Sequence, residues 1–412
     1  MMRPARRCSL PSPRSWPATM SGKDCNHFWN VARPYSKDAD MTDSPDLVRL
    51  LMHRRQLDRL RLEPLGPAPV ATEGEVVLRL GCFAVTTNNI TYAVYGEAMK
   101  YWDFFPVPDQ AGPSDWGQMP VWGYADVVDS AVLEIQPGQR YFGYFPTATH
   151  LTVRPGKISR VSFRDDSDHR RHLPEIYNWY QRTDGDRFHD SASEPLHAIY
   201  RPLFITAFGL ADFLTDNDFF GARQVLISSA SSKTAYATAF CLKQAGKIDI
   251  IGLTSPGNLD FVRRTGLYSE AVAYAELPTL DADTPSVYVD IAGNPDLTRQ
   301  VHQHFDSRLC HDCTVGSARS LEPAAAPADL PGPRPRFFFA PEQIAKRHRD
   351  WGVGEFNRRV GEATLAFYAH VNNPDNPLLQ VTTASGLDAA RTVITDLLAG
   401  RVDPVEGHLI RM

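Results

Sequence analysis

The sequence predicts an α/β fold in which a β-rich, barrel-like domain is joined to a doubly wound parallel sheet. Three observations point to it. The chain has 412 residues, enough for two or three domains at roughly 150 residues each. Its first third carries short strands separated by turn signals. From residue 203 onward, apolar strands alternate with helices that stop at glycine, the pattern of parallel strands joined by right-handed crossovers.

Composition narrows the function classes. Hydrophobic residues make up 43% and charged residues 22%, which supplies the apolar surface a packed core needs and argues against disorder of the whole chain. A formal charge of -5 leaves no basic footprint for nucleic acid. The longest apolar run, residues 203–214, contains Asp212 and falls well short of the roughly 20 residues a membrane span needs. Neither nucleic acid nor a membrane is therefore expected as a partner. Cys8, Cys25, Cys82, Cys241, Cys310 and Cys313 lack the spacing of a disulfide scaffold and suit a reducing, cytoplasmic setting.

The elements follow in order. Arg3, Arg6, Arg7 and Arg14 precede the first acid, Asp24. An organellar transit peptide and a start codon placed too early, with Met20 or Met41 as later candidates, both account for this. On either account residues 1–40 are expected outside the fold. Ser44 as N-cap and Pro45 at the first helical position would open a helix, and residues 48–61 read as a basic amphipathic helix or an extended adaptor. Strands are expected at 76–85, 120–128 and 140–145, with a helix or tight loop at 87–95. Tyr101, Trp102, Phe104 and Phe105 form an aromatic cluster, more core than pocket wall. Residues 164–195 are polar and aperiodic and read as an excursion or lid. A helix at 204–214 leads to a strand at 224–229, a helix at 233–246 ended by Gly246, a strand at 248–254, a helix at 258–265, and strands at 271–274 and 286–291. After an Ala-, Pro- and Arg-rich loop at 318–336 come a strand at 336–339 and helices at 341–349, 356–372 and 387–398. This grouping places a nucleotide-binding domain at 201–334 and a discontinuous substrate domain at 41–200 and 335–412.

The most informative segment is Ser228-Ser-Ala-Ser-Ser-Lys-Thr-Ala235, between a strand and a helix of a β-α-β unit. A dinucleotide fingerprint here would place three glycines, for a tight turn, close approach of a pyrophosphate and helix–strand contact. The three places fall on Ala230, Ser232 and Ala235. All are small and leave the helix N-terminus open to an anion. Ser231, Ser232 and Thr234 add hydroxyls and Lys233 a charge. A small-residue turn that merely packs a helix on a sheet accounts for the same pattern. Where an NAD site carries an acid for the ribose diol, the chain has Thr254, Ser255 and Asn258. With no carboxylate to repel a 2′-phosphate, NADP(H) is the favoured cofactor. Asp290 and Asn294 are expected in the crevice beyond the fourth strand.

Several stretches resemble the zinc-free, quinone oxidoreductase-like branch of the medium-chain dehydrogenase/reductase superfamily, in order over most of residues 70–412. They are Pro137-Gly-Gln-Arg-Tyr-Phe-Gly-Tyr144, the strand–turn–helix at 225–239, Gly252-Leu-Thr-Ser255, Phe261-Val-Arg-Arg-Thr-Gly-Leu267 and Val289-Asp-Ile-Ala-Gly-Asn294. More narrowly, Asn88-Asn-Ile-Thr-Tyr-Ala93, Val121-Trp-Gly-Tyr-Ala-Asp126 and the 228–235 turn resemble a bacterial family catalogued only as a domain of unknown function. The resemblance implies a GroES-like β-rich domain plus a Rossmann-type doubly wound parallel sheet domain, and a homodimer joined through the latter. It also implies that the stretch after the first strand approaches nicotinamide and substrate. Tyr92 or Tyr95 would then donate a proton after hydride transfer, and Asn89 would orient a carbonyl; tyrosines packed in the core are the competing account.

Other chemistries fit less well. Val85-Thr-Thr-Asn-Asn89 and Trp122-Gly-Tyr-Ala125 offer none of the ligands of zinc-dependent members, and four closely spaced cysteines are missing; no metal is expected. Cys310-His-Asp-Cys313, with His302 and His304 upstream, is a single C-x-x-C and reads as surface loop. Cys82 and Cys241 read as core. Gly252-Leu-Thr-Ser-Pro-Gly257 misses a nucleophile elbow by one residue, and Lys233-Thr234 lacks the glycines of a phosphate-binding P-loop. The leading expectation is a zinc-independent, NADP(H)-dependent oxidoreductase that reduces an enone, enoyl thioester or quinone-type small molecule. The rival is a non-catalytic Rossmann-fold protein acting as a nucleotide sensor or partner-binding protein. The missing glycines favour the rival; the hydroxyls and Lys233 favour the enzyme.

Overall fold

The computed structural model describes residues 46–109, 112–185, 189–316 and 329–412. The expected leader, the helix start at Ser44 and Pro45, and most of the 318–336 loop lie outside these residues.

A hairpin comes first. Strands β1 (Leu47–His53) and β2 (Gln56–Gly66) pair antiparallel, so the segment expected as a basic helix or adaptor is two strands. The reason is tertiary. Leu50 N–H bonds to the Thr147 carbonyl and Thr149 N–H to the Val48 carbonyl, bonds that a helix satisfied within itself would not make.

The main antiparallel sheet is built on β3 (Val76–Val85), almost wholly buried. β4 (Pro120–Ser130) pairs with it, and β5 (Arg140–Pro146) with β4. Gly123 lets β4 approach β3, because a Cβ there would lie 2.2 Å from the Cys82 carbonyl oxygen. β6 (His150–Val153) pairs back on β3. β7 (Ser162–Asp165) and β8 (Trp179–Arg182) extend the sheet beyond β5. These last two lie in the stretch expected as a lid, which is instead part of the sheet. Arg170 pins it there: its buried guanidinium meets Asp165 at 2.8 Å and the Tyr180 hydroxyl at 2.9 Å. A polar segment can hold a buried ion pair when each charge finds its partner.

Helix α1 (Thr87–Val94) follows β3 directly. Helix α2 (Glu194–Asp216) begins ten residues before the expected 204 and carries Pro202 within it. The parallel sheet comes next: β9 (Gln224–Ile227), α3 (Lys233–Ala245), β10 (Asp249–Thr254), α4 (Leu259–Arg264), β11 (Glu270–Ala273), β12 (Ser286–Asp290), α5 (Pro295–Phe305), β13 (Leu309–Thr314) and β14 (Arg336–Phe337). Its strand order is β11-β10-β9-β12-β13-β14, all parallel. The Cys310-His-Asp-Cys313 stretch is thus strand β13, with His311, Asp312 and Cys313 buried, and not a surface loop. Asp312 accepts from His302 of α5 at 2.7 Å, a contact that only the folded sheet creates.

Helices α6 (Ala340–Trp351) and α7 (Val353–Val371) pack on α2. Phe367 and Tyr368 of α7 share a core with Val225 and Ile227 of β9. The chain then returns to the antiparallel sheet as β15 (Gln380–Ser385), α8 (Gly386–Leu398) and β16 (Glu406–Arg411). β16 pairs antiparallel with β3, His408 opposite Val85. The sequence signals neither β15 nor β16, whose short alternations are completed only by partners far away in the chain. Among the described residues no helix is long and apolar enough to cross a membrane.

Candidate functional site

Strand β9 delivers the chain to the carboxyl edge of the parallel sheet, where residues 228–232 turn into α3. The turn closes without glycine. Ser229 adopts the left-handed conformation, φ 51°, at a cost on the order of 1 kcal/mol for a residue with a Cβ. Its N–H donates to the Tyr274 hydroxyl at 3.1 Å, and its carbonyl accepts from Ser232 N–H at 2.8 Å. Ala230 and Ala235 are fully buried; Ala230 is held by Leu253 through its N–H and by the Tyr268 hydroxyl through its carbonyl. Two of the three glycine places are therefore packing positions. The third, Ser232, caps α3 by accepting from Ala235 N–H.

Two neighbouring strand ends are tied to this turn. Asn258 donates to the Ser231 hydroxyl at 3.0 Å, which brings the edge after β10 onto the turn, with Thr254 buried below and Ser255 between them. The Ser228 hydroxyl accepts from Ile291 N–H at 2.9 Å and Ala292 N–H at 3.0 Å, and donates to Asp290 at 2.9 Å. Asp290 also accepts from Gly293 N–H and the Thr298 hydroxyl. Burial pushes its carboxyl pKa up, against those hydrogen bonds. Asp290 is a strand-end clamp, and Asn294 caps α5 by accepting from Asp296 and Leu297 N–H.

Lys233 departs from the expectation that its charge serves an anion at the turn. Its amine crosses to the Glu406 carbonyl at 2.6 Å and the Pro404 carbonyl at 3.1 Å. Desolvation in that position lowers its pKa to about 8.

Above the strand ends lies a small cleft of about 50 Å³, partly open to solvent. Its floor is Ser232 and Thr234 on the first turn of α3 together with Ile291 and the Val315–Gly316 pair, and Leu203 and Thr206 of α2 close one side. Its opposite wall is the first turn of α1: Thr87, Asn88 and Thr91. The lining is hydroxyls, one carboxamide and apolar groups, with no charged side chain. The first N–H groups of α3 have no acceptor within the helix, and its positive end lies at the floor.

The three expected catalytic residues sit differently on α1. Asn89 is turned inward: its Oδ1 accepts from Thr86 N–H at 2.7 Å and its Nδ2 donates to the Pro120 carbonyl at 2.8 Å, completing a capping box. Tyr92 is buried. Its hydroxyl accepts from Trp122 Nε1 at 3.0 Å, its ring meets Tyr144 and Tyr177 edge-on, and burial pushes its pKa far above the usual tyrosine range. Both side chains are engaged within the fold, which leaves neither lining the cleft. Tyr95 is half-buried; burial and then the charge of Asp290 raise its pKa. The sequence reading placed Thr91 in the stretch facing the substrate without a role and gave none to Thr87 or Asn88. The signal was present in part: Thr87, Asn88 and Thr91 fall three and four residues apart on one helix face, Asn88 also reaches the Tyr92 hydroxyl, and Thr86-x-x-Asn89 marks Asn89 as a cap.

Comparison with solved structures shows that the chain shares its fold with three proteins of low sequence identity. CurA from Vibrio vulnificus in complex with NADPH is similar at a TM-score of 0.55 and 13% identity, over 89% of this chain and 99% of that one. The CurF ER cyclopropanase from the curacin A biosynthetic pathway is similar at 0.51 and 13% identity, over 89% of this chain and 100% of that one. The CurK enoyl reductase is similar at 0.50 and 14% identity, with the same coverage of 89% and 100%. No curated protein matches the chain by sequence. The model of the family described as "Protein of unknown function (DUF2855)" matches residues 83–403, a span that takes in α1, the glycine-free turn and every residue of the cleft; the chain belongs to that family.

Proposed function

We propose that the protein is a zinc-independent, NADP(H)-dependent oxidoreductase that reduces an enone, enoyl thioester or quinone-type substrate in the cleft between α1 and α3. One observation carries this reading: the cleft lies beyond the carboxyl ends of the parallel strands, at the first turn of α3, the crevice in which open α/β sheets take their ligands. CurA, which shares the fold, was solved with NADPH. The pyrophosphate would rest on the first turn of α3, with the Ser232 and Thr234 hydroxyls as donors. The edge formed by Thr254, Ser255 and Asn258 offers no carboxylate to repel a 2′-phosphate. NADPH would supply the hydride. On the facing wall, the Asn88 carboxamide and Thr91 hydroxyl would hold the oxygen on which negative charge develops, and Tyr95, at the far end of α1 and outside the cleft lining, would act as proton donor only through a bound water. Free cysteines among the described residues support a reducing, cytoplasmic setting. Helices α6 and α7 are assigned with the parallel sheet, because their core is shared with β9, and a homodimer through that lobe goes with the reading.

Titration with NADPH and NADH, followed by nicotinamide fluorescence, tests it. Saturable binding with at least tenfold preference for NADPH is expected; no response to millimolar NADPH overturns the reading. Thr234→Glu places a carboxylate on the cleft floor, where a helix N-terminus tolerates it. It should abolish binding and leave the thermal midpoint unchanged. The absence of a charged residue from the lining favours one alternative, a sensor that binds NADPH without turnover. That alternative holds if NADPH binds tightly and no enone, enoyl thioester or quinone is reduced.

A further inference from the structure

We propose that Lys233 is a positioning residue that helps set the width of the cleft, by tying the first turn of α3 to β16, the partner of the strand that carries the opposite wall; the inference rests on the reading of that cleft as the ligand site.

The argument is one of connectivity. Lys233 is the first residue of α3, between Ser232 and Thr234 on the cleft floor. Its amine donates to the carbonyls of Pro404 and Glu406, where the chain enters β16. β16 pairs with β3, and His408 lies opposite Val85. Val85 is the last residue of β3; Thr86 then caps α1, and Thr87 and Asn88 are the facing wall. Floor and wall are thus joined by one side chain and one strand pair, over a path of a few residues. The other side of β16 is also fixed: a Cβ at Gly407 would lie 2.7 Å from Ile199 of α2. α3 and β16 both pack on α2, and the Lys233 tie is the side-chain bond that joins them directly.

The surroundings explain why a lysine serves. Asp403 and Glu406 act favourably on the amine, while burial and then the Lys233 charge hold the pKa of His408 down. The contacts that matter are donations to carbonyl oxygens, which a long side chain with several N–H groups makes at once. Even a half-buried ammonium loses solvation, so its two bonds to carbonyl oxygens here argue for a geometric role and not for stability.

Lys233→Met keeps the volume and removes the donors; Lys233→Gln keeps one. Hydrogen exchange on the unliganded protein should show faster exchange in residues 404–408 and in the first turn of α3 for Lys233→Met, and an intermediate change for Lys233→Gln. Secondary structure and thermal midpoint should hold or rise, since a half-buried cation is gone. NADPH affinity should fall about tenfold, the loss expected if only about one molecule in ten keeps the closed spacing. Unchanged exchange in both segments overturns the proposal. So does wild-type NADPH affinity in both variants. If the wild-type protein binds no NADPH, the functional reading falls while the exchange result still decides the tie; if Lys233→Met does not fold, Lys233→Gln decides both.

Discussion

The two walls of the cleft use similar residues for opposite ends. On the α3 side, the turn Ser228-Ser-Ala-Ser-Ser spends its first members on the fold: Ser228 clamps the end of β12, Ser229 turns the chain and Ala230 packs. Only at the end of the turn do Ser232 and Thr234 reach the cleft. On the α1 side the division is by helix face and not by order along the chain. Asn89 and Tyr92 point in, and Asn88 and Thr91 line the cleft. A one-residue step rotates a helical side chain by roughly 100°, enough to separate a cap from a ligand-facing group. The lesson is that adjacent asparagines of identical chemistry carry different roles, and the role is set by the direction each faces.

Substitutions can break this contrast. Ser228→Ala should have the largest effect, because it strands two buried N–H groups and removes one of the two donors to Asp290 Oδ1. A loss of about 3 kcal/mol is expected in denaturant unfolding; a loss under about 1 kcal/mol would show that the clamp is replaced by water. Asn89→Ala should cost about 2 kcal/mol through the lost cap and the unpaired Pro120 carbonyl. Asn88→Ala should stay within about 0.5 kcal/mol of wild type and instead lower turnover of an enone or quinone. If the two asparagine variants behave alike, the division by helix face is wrong. Ser229→Gly should gain roughly 0.5–1 kcal/mol by relieving a left-handed serine, with NADPH affinity unchanged, since Ser229 does not line the cleft. A loss of stability would place the origin of that turn elsewhere.

The smallest expected effect is one of pH. Lys233 loses its proton near pH 8 in the folded chain, against a reference of 10.5. Between those values the unfolded chain binds more protons than the folded one, so this contribution to stability rises with pH across the window. Thermal midpoints measured from pH 7.5 to 10 should show that rise in wild type and a flatter profile in Lys233→Met, where pH values are set about the two ends of the window. Equal slopes would place the amine in water.

Much of this was legible before any coordinates. The strand–turn–helix at 224–245, Gly246 as its stop at φ 63°, and the neighbouring parallel strands could be read because each is a local pattern: an apolar run of strand length, a cap and a glycine. The absence of a carboxylate after β10 was readable for the same reason. The β-rich part was legible only in its long central strands. β7 with β8 and β15 with β16 are short or polar segments whose pairing partners lie some tens of residues away, and the 47–66 hairpin, though locally paired, alternates too weakly to be told from a basic helix.

What the sequence determined by itself is the fold class, the position of the glycine-free turn and the chemistry of the residues around it, because propensity, hydrophobic period and capping act over a few neighbours. What only the tertiary structure decided is which of those residues meet. Lys233 reaches β16 and not an anion, Asp290 serves a strand end, and Asn88 replaces Asn89 at the cleft. Each outcome depends on the direction of a side chain relative to elements distant in sequence, and direction is fixed by packing, which no single stretch of the chain contains.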